Sequence, residues 1–343
     1  MIRAGIIGAT GYAGAELLRI LTNHPAAEVV GVSSKSFEGK KVSDVYPALY
    51  GICDMVCTGQ QEVVEKSDVV FACLPHGLSQ GLAAECDAAG KVFIDLGADF
   101  RLTDEAEYEE WYGGRFDDAG LHKKAVYGLP ELFRDVIARS RLIANPGCYP
   151  TSAALGIVPA LEKGLVSGTV IIDSKSGTTG AGRGLSQTTH FPDCNEAFSP
   201  YKIASHRHTP EIEQTLSHFA GEKLCVVFTP HLLPVNRGIV STIYAKLGDD
   251  VTEQDIREAY VSRYAGEKFV RVLDEGCVAN LRDVRCSNYC NISLHVDART
   301  GMLIAVSAID NMVKGAAGQA VQNMNIVMGI PEDTGLNMIP NMF

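Results

Sequence analysis

Cys148 carries the clearest indication of covalent chemistry in this sequence. It follows the strand-like run 142–145 and the dipeptide Pro146-Gly147, and it begins a predicted helix with Pro150 in the first turn, where proline is tolerated. A thiol at a helix N-terminus lies at the positive end of the helix dipole, which favours the reactive thiolate. A structural cysteine would more naturally lie inside an apolar run, as Cys73 does. We therefore predict that Cys148 is a nucleophile.

A histidine cluster between residues 201 and 211 offers the base that a nucleophilic cysteine usually has. In an extended segment the side chains of His206 and His208 would point the same way, and only one of them need face Cys148. Thr209-Pro210 also suits the N-cap and first position of a helix, so a polar loop before a helix is the alternative interpretation.

Two arginines are candidate anion-binding residues. Arg183 lies in the glycine-rich loop 176–184, which also offers backbone amides and hydroxyl groups, and Arg101 follows a strand of the first half. A guanidinium can bind a phosphate through two parallel hydrogen bonds. Arg101 could equally form a surface ion pair with Asp99 or Asp104.

The segment 8–14 predicts a dinucleotide-binding turn. Gly8, Gly11 and Gly14 are spaced G-x-x-G-x-x-G between a predicted strand, 3–7, and a predicted helix, 13–24. Glycines at such a turn let the backbone approach a pyrophosphate, and the helix N-terminus supplies amide donors. A close helix–strand contact without a ligand is the alternative.

The end of the second predicted strand, 28–33, indicates which dinucleotide binds. NAD sites usually place Asp or Glu there, about 20 residues after the glycines. Here the chain has Ser33, Ser34 and Lys35, and none of residues 32–37 is acidic. Hydroxyls and an ammonium suit a 2′-phosphate, so NADP is favoured, with a polar surface loop as the alternative.

These groups together predict one class of reaction. A thiolate attacks an activated acyl group, an anion leaves, and NADPH reduces the resulting thioester. A thioester suits this purpose because it is electrophilic enough to accept a hydride, whereas a carboxylate is a poor acceptor.

The elements that must position these residues predict an α/β protein with two domains. Alternating strands and helices in the first half predict a Rossmann-like, doubly wound parallel sheet. The second half predicts an α+β domain with a mostly antiparallel sheet, including a hairpin of 286–296 with 302–309. We place the NADP-binding domain at 1–147 with 314–343, and the catalytic and dimerisation domain at 148–313.

Composition excludes several functional classes. The net charge of -11 argues against nucleic-acid binding, which needs a basic face. No apolar run reaches the roughly 18 residues of a membrane span, and the N-terminus lacks a signal-peptide pattern. We therefore expect a cytoplasmic protein whose ten cysteines are thiols. No metal site is expected, because Cys286 and Cys290 fall on the core face of a predicted strand.

Short motifs along nearly the whole chain are similar to those of a known family. The chain resembles the N-acetyl-gamma-glutamyl-phosphate reductases of arginine biosynthesis, which are relatives of the aspartate-semialdehyde dehydrogenases. The motifs, in order, are GATGYAGAE (8–16), LPHG (74–77), DLGADFR (95–101), YGLPE (127–131), NPGCYPT (145–151), SGTTGAGR (176–183), HRHTPEI (206–212), PHLLPVNRG (230–238) and KGAAGQAVQNMN (314–325).

The resemblance implies roles for individual residues. Cys148 is the implied nucleophile and His206 the implied acid/base, acting as an imidazolium when the thiohemiacetal collapses, although His208 is not excluded. The residues expected to bind substrate are Arg101, Asn145, Arg183, Tyr201, His208 and Glu211. The residues expected to bind NADP are Gly8, Thr10, Gly11, Tyr12, Ala13, Gly14, Ser33, Ser34, Lys35, Pro75, Gly180, Gly182 and Asn311. The family further implies a homodimer or homotetramer.

Other functions remain open at this point. Aspartyl phosphate or a carrier-bound aminoadipyl phosphate would undergo the same chemistry, and the acyl-chain length accepted is not readable from the motifs. Tyr264 and Lys268 match the Tyr-x-x-x-Lys spacing of short-chain reductases, but they lie far outside the glycine-turn domain. A non-catalytic NADP sensor would not need both NPGCYPT and HRHTPEI.

Overall fold

The computed structural model describes all residues, 1–343, and its chain forms two compact units. The first unit consists of Met1–Pro146 and Ala316–Met338, and the second consists of Gly147–Gly315 and Ile339–Phe343. Each unit contains one sheet, with six strands in the first and seven in the second. No helix is long and apolar enough to cross a membrane.

The first unit is built on a parallel sheet with the order β2-β1-β3-β4-β6-β5. Its strands are β1 (Ile2–Ile7), β2 (Ala27–Ser33), β3 (Val69–Ala72), β4 (Val92–Asp95), β5 (Val126–Tyr127) and β6 (Leu142–Ala144). The order changes direction between β1 and β3, and ligands of doubly wound sheets bind at such a switch point, beyond the carboxyl ends of the strands. The predicted glycine turn follows β1, and the predicted contact residue Pro75 follows β3.

Seven helices join the strands of this sheet. They are α1 (Tyr12–Leu21), α2 (Val42–Val45), α3 (Gln60–Lys66), α4 (Gln80–Ala88), α5 (Glu105–Tyr112), α6 (Ala119–Lys124) and α7 (Pro130–Ile137). Leu17, Leu18 and Leu21 belong to the buried, apolar side of α1. Asp104 accepts two amide hydrogen bonds as the N-cap of α5, which explains where that helix begins.

The second unit contains a mixed sheet with the order β11-β12-β13-β10-β7-β9-β8. Its strands are β7 (Val166–Ser176), β8 (Ser199–Pro200), β9 (Val226–Leu232), β10 (Ile239–Leu247), β11 (Val270–Val272), β12 (Cys290–Asp297) and β13 (Met302–Ile309). The pairs β7–β9 and β11–β12 are parallel and the other four neighbouring pairs are antiparallel, as a mostly antiparallel sheet requires.

Four helices accompany this sheet. They are α8 (Cys148–Glu162), α9 (Phe191–Cys194), α10 (Thr209–Ala220) and α11 (Glu253–Arg263). Helix α8 is buried from Tyr149 to Leu161 and packs against β10, β13 and α10. A π-helical turn, Val313–Ala317, then leads to α12 (Gly318–Val327), which belongs to the first unit.

The predicted hairpin is confirmed, but its first strand begins later than expected. Strands β12 and β13 pair antiparallel, from Cys290 opposite Ile309 to Asp297 opposite Met302. Cys286 lies outside β12 and has a φ of 63°, so it does not share the strand face assigned to it from the sequence. The left-handed backbone there ends the alternation on which that assignment depended.

Candidate active site

The second unit presents Cys148 as the first residue of α8, with Gly147 as the N-cap. The extended backbone of Gly147 lets its carbonyl accept hydrogen bonds from the amide and the hydroxyl of Thr151, each at 3.0 Å. Gly147 and Tyr149 are buried, whereas Cys148 is half-buried, so Cys148 is the residue at this helix start that solvent reaches. The predicted helix start and the placement of Pro150 in the first turn are therefore confirmed.

The backbone of Gly315 lies directly behind Cys148. A Cβ atom built on Gly315 would lie 2.7 Å from the Cβ of Cys148 and 3.1 Å from its Cα. Only glycine permits this approach, because real side chains do not come closer than about 3.0 Å at such contacts. Gly315 is not among the site residues predicted from the sequence. The small-residue run after Lys314 is the signal that could have indicated it.

Glu211 lies at the N-terminus of α8 and is fully buried. Its Oε1 accepts a hydrogen bond of 2.8 Å from the amide of Gly147, the residue before Cys148. This oxygen holds the backbone beside the nucleophile, and the substrate contact expected for Glu211 stays a prediction. The positive end of the helix dipole by itself favours a thiolate at Cys148. The negative charge of a carboxylate at the same helix end counteracts this effect on the thiol.

The rings of His206 and His208 form an aromatic cluster with Tyr149, Tyr201 and Phe228. The centroid of His206 lies 4.9 Å from that of His208, 5.4 Å from Tyr149 and from Phe228, and 5.5 Å from Tyr201. Tyr149 follows Cys148 directly in the chain, so the cluster adjoins the cysteine. The structure thus brings Cys148, Tyr201, His206 and His208 of the predicted site together in one unit.

The two histidines meet for a different reason from the predicted one. Residues 201–208 form turns rather than an extended segment, and Lys202 and Ala204 adopt left-handed φ values of 45° and 54°. His208, not Thr209, is the N-cap of α10, so the predicted helix start is one residue late.

The surroundings of His206 fix its tautomer and disfavour its charge. The amide of His208 donates a hydrogen bond of 3.1 Å to Nδ1 of His206, which places the proton of the neutral ring on Nε2. Burial lowers the pKa of His206 to about 2, and the neighbouring His208, Lys202 and Arg207 lower it further than Glu211 can raise it. Without substrate, His206 is therefore neutral with an N–H at Nε2, and the imidazolium that the resemblance implies for the collapse of the thiohemiacetal stays a prediction.

The buried Tyr149 and the half-buried Tyr201 form a pair of phenols beside the cysteine. Their hydroxyl oxygens are 3.0 Å apart, so one donates to the other. Burial raises the pKa of Tyr201 to about 12 against the lowering effect of its hydrogen bond with Tyr149, and the charge of Cys148 adds to the rise. Burial likewise raises the pKa of Tyr149. Both phenols therefore stay protonated, and each can donate or accept a hydrogen bond.

The glycine-rich loop after β7 is held by the segment 235–238. The amides of Gly177, Thr178 and Thr179 donate to the carbonyls of Gly238, Val235 and Asn236. Asn311 lies beside Gly180, and its side chain accepts from the Gly238 amide at 2.7 Å and donates to Thr179 at 3.0 Å. Those two bonds shape the loop. Arg183 and Gly182 lie in its exposed part.

In the first unit, the glycine turn has the geometry of a dinucleotide cradle. Gly8 has a φ of 84°, and a Cβ there would lie 2.3 Å from the carbonyl oxygen of Cys73, at the end of the neighbouring strand. A Cβ on Gly14 would lie 2.4 Å from the carbonyl oxygen of Gly8. Helix α1 begins at Tyr12 after the N-cap Gly11, so the amides of its first turn, including that of Ala13, have no partner within the helix. The fit to a pyrophosphate is therefore good.

Ser33, Ser34 and Thr10 join the glycine turn to the end of β2. The carbonyl of Ser33 accepts hydrogen bonds from the amides of Gly8 and Ala9 at 2.9 and 3.0 Å. The hydroxyl oxygens of Thr10 and Ser34 are 2.6 Å apart, and both side chains are buried. Lys35 is exposed next to them, as a residue that contacts a 2′-phosphate must be.

Arg101 and Asn145 lie together at the carboxyl ends of the first sheet. Arg101 is buried and donates from Nε to the carbonyl of Asn145 at 2.8 Å and from a terminal nitrogen to that of Leu96 at 2.9 Å. The side chain of Asn145 donates to the carbonyl of Ala316 and accepts from Asn323, each at 3.1 Å. Through its bond to the carbonyl of Asn145, Arg101 braces the backbone that leads to Cys148.

Two family models match most of the chain. The semialdehyde dehydrogenase NAD-binding domain matches residues 3–140, and the semialdehyde dehydrogenase dimerisation domain matches residues 148–311. Two crystal structures of aspartate semialdehyde dehydrogenases share the fold. The enzyme II from Vibrio cholerae has a TM-score of 0.73 at 15% identity, covering 96% of this chain and 98% of its own. The Candida albicans enzyme with NADP has a TM-score of 0.71 at 16% identity, with the same coverage.

Much higher identity is found with curated relatives that match from end to end. Proteins named N-acetyl-gamma-glutamyl-phosphate reductase from Clostridium beijerinckii and Brachyspira hyodysenteriae are each 54% identical to this chain, with 100% of both chains covered. The protein of that name from Pelotomaculum thermopropionicum is 54% identical over 98% of this chain and 97% of its own. This chain, in which Cys148 begins helix α8, therefore belongs to the N-acetyl-gamma-glutamyl-phosphate reductases, within the semialdehyde dehydrogenase family.

Proposed function

We propose that this protein reduces N-acetyl-L-glutamyl 5-phosphate with NADPH to N-acetyl-L-glutamate 5-semialdehyde and phosphate, as a step of arginine biosynthesis. The observation that supports this most is the half-buried Cys148 at the start of α8, beside the cluster of His206, His208 and Tyr201. The proposal assigns NADP binding to residues 1–147 with 314–343, and catalysis and dimerisation to residues 148–313.

Cys148 carries the acyl group in this mechanism. Its Sγ forms a bond to the acyl carbon, and the bond from that carbon to the phosphate oxygen breaks, so phosphate leaves and a thioester remains. NADPH, when bound, supplies the hydride that reduces the thioester. The carbon–sulfur bond of the resulting thiohemiacetal then breaks, which releases the aldehyde and restores the thiolate of Cys148.

His206 stabilises the negative oxygen that develops on the reacting carbon. Its neutral ring offers an N–H at Nε2, and Nδ1 is held by the amide of His208, so the ring is oriented before substrate binds. The backbone amides at the start of α8 are further donors for this oxygen. Tyr201, His208 and Arg183 are the proposed contacts to the substrate in the second unit, and Arg101 and Asn145 act by bracing the chain before Cys148.

The glycine turn and the end of β2 would hold the cofactor. The turn Gly8–Gly14 accommodates the pyrophosphate, and Ser33, Ser34 and Lys35 recognise the 2′-phosphate. Pro75, Gly180, Gly182 and Asn311 remain proposed cofactor contacts.

A reverse assay tests the proposal directly. N-acetylglutamate semialdehyde, NADP and phosphate or arsenate should give NADPH, and aspartate semialdehyde and the aminoadipate counterpart should give much less. NAD should replace NADP poorly in kcat/KM. Cys148→Ser should abolish turnover and leave NADPH binding unchanged. A higher kcat/KM with either competing aldehyde would reassign the substrate, whereas turnover by Cys148→Ser would exclude the thioester.

The family match to a dimerisation domain also supports an oligomer. We propose a homodimer or homotetramer in the cytoplasm, with the acyl phosphate as the small-molecule partner. Sedimentation of the purified protein would distinguish these assemblies from a monomer.

A further inference from the structure

The turn after β3 is exposed, and the ring of His76 within it contacts that of Tyr112, with centroids 5.6 Å apart. Residues 75–78 are exposed, and Gly77 has a φ of 82° with no atom within 4 Å of a Cβ built on it. This turn lies at the switch point of the sheet and contains Pro75, a proposed cofactor contact. A turn of this kind needs an anchor if it is to keep one position.

Asp99 supplies that anchor. Its side chain is fully buried, and its two oxygens accept hydrogen bonds from the amide of Gly77 at 2.5 Å and from the amide of Ser79 at 2.9 Å. One carboxylate therefore holds both the exposed Gly77 and the buried Ser79, which is the N-cap of α4. Hydrogen bonds to a charged acceptor are stronger than those between neutral groups.

Two further contacts fix the carboxylate itself. The hydroxyl of Tyr108, a buried residue of α5, donates to Oδ1 of Asp99 at 3.0 Å. Asp95 lies close by and accepts from the hydroxyl of Ser79 at 2.8 Å. Burial, aided by the charge of Asp99, raises the pKa of Asp95 to about 6. The Asp99 carboxylate is thus held by Tyr108 while Asp95 restrains Ser79.

We infer that Asp99 is a positioning residue for NADP(H): it holds the turn 75–77 in the conformation that binds the cofactor and takes no part in acyl transfer. The inference rests on the proposed function, because it assumes that this turn contacts NADP. Asp99 belongs to the motif DLGADFR, and the only role considered for it from the sequence was a surface ion pair with Arg101.

Asp99→Asn separates positioning from chemistry. An asparagine presents one oxygen and one amide nitrogen, so only one of the Gly77 and Ser79 amides keeps an acceptor. The dissociation constant of NADPH, measured by its fluorescence, should rise about tenfold, in line with one lost charge-assisted hydrogen bond. The burst of phosphate from acyl phosphate, measured without cofactor, should keep its rate and its amplitude.

Asp104→Asn is the matched control, because Asp104 also accepts two backbone amides, as the N-cap of α5. It should leave the dissociation constant unchanged. Gly77→Ala strains the turn without changing the carboxylate, and it should weaken NADPH binding as Asp99→Asn does, which keeps the test decisive if Asp99→Asn fails to fold.

An unchanged dissociation constant in a folded Asp99→Asn variant overturns the inference. So does a phosphate burst that falls in parallel with NADPH affinity, since Asp99 would then support the fold in general. A wild-type protein without any burst contradicts the proposed function instead, and leaves the comparison of NADPH affinities intact.

Discussion

The amide of Gly147 donates a hydrogen bond of 2.8 Å to Oε1 of Glu211, so a fully buried carboxylate holds the residue that precedes Cys148. The bond joins the N-terminus of α8 to the first turn of α10, whose N-cap His208 in turn orients His206. One short chain of hydrogen bonds between backbone amides and side chains therefore fixes the nucleophile and the imidazole relative to each other.

Replacing Glu211 tests this connection. Glu211→Gln keeps an oxygen acceptor for the Gly147 amide and removes the charge that opposes a thiolate at Cys148, so alkylation of Cys148 at pH 7 should become faster. Glu211→Ala leaves a buried N–H without an acceptor, and its free energy of unfolding should be lower than that of Glu211→Gln by about 1–3 kcal/mol. Urea unfolding and timed iodoacetamide labelling measure the two effects. Equal stability of the two variants would show that the hydrogen bond has no structural role.

Cys148 should be the fastest thiol to alkylate in the native protein at neutral pH. The start of α8 favours its thiolate, whereas burial raises the pKa of Cys86 to about 12 and also raises that of Cys73. The exposed Cys225 and Cys277 are the internal controls, because they are accessible but do not begin a helix. Peptide mapping after brief labelling reports the order. Prior labelling of Cys225 or Cys277 would contradict the activation of Cys148.

Local sequence patterns predicted the parts of the fold that local physics determines. The helix start at Cys148 followed from Pro146-Gly147, and the hairpin of β12 with β13 was predicted within residues 286–296 and 302–309. Helix α11 likewise begins at a local sequence signal, the capping box of Thr252 with Asp255.

Contacts between distant parts of the chain were not predictable in this way. Nothing in HRHTPEI indicates that the carboxylate of Glu211 reaches the amide of Gly147, whereas the substrate contact that the resemblance implies for Glu211 stays a prediction. The approach of Gly315 to Cys148 depends on how the turn before α12 packs. The meeting of His206 and His208 was anticipated from an extended segment, but left-handed residues in a tight turn produce it.

The contact of Gly315 with Cys148 predicts a selective loss of activity. The Cβ of Gly315→Ala would lie 2.7 Å from the Cβ of Cys148, so the nucleophile must move. A displacement on the order of 1 Å at a reacting group lowers rates by up to about 100-fold, so kcat should fall by at least about tenfold. Gly81→Ala is the control, since nothing lies within 4 Å of its Cβ and alanine suits the helix α4. A Gly315→Ala enzyme with wild-type kcat would show that Cys148 does not need this position.

The lowered pKa of His206 predicts how stability depends on pH. The folded protein keeps this ring neutral down to about pH 2, whereas the unfolded chain protonates it below about 6.5, so only the unfolded state gains a proton between these values. The contribution of His206 to stability is therefore complete above pH 6.5 and falls by about 1.4 kcal/mol for each pH unit below it.

His206→Gln removes this titration, so between pH 7.5 and 5.5 the variant should lose less stability than the wild type, by about 1.4 kcal/mol. His218→Gln, at an exposed position in the last turn of α10, is the control and should follow the wild type. Urea unfolding at the two pH values gives the comparison. Parallel pH dependence of the wild type and His206→Gln would mean that the folded protein carries His206 as an imidazolium, and the hydrogen bond from the His208 amide to Nδ1 could not then exist.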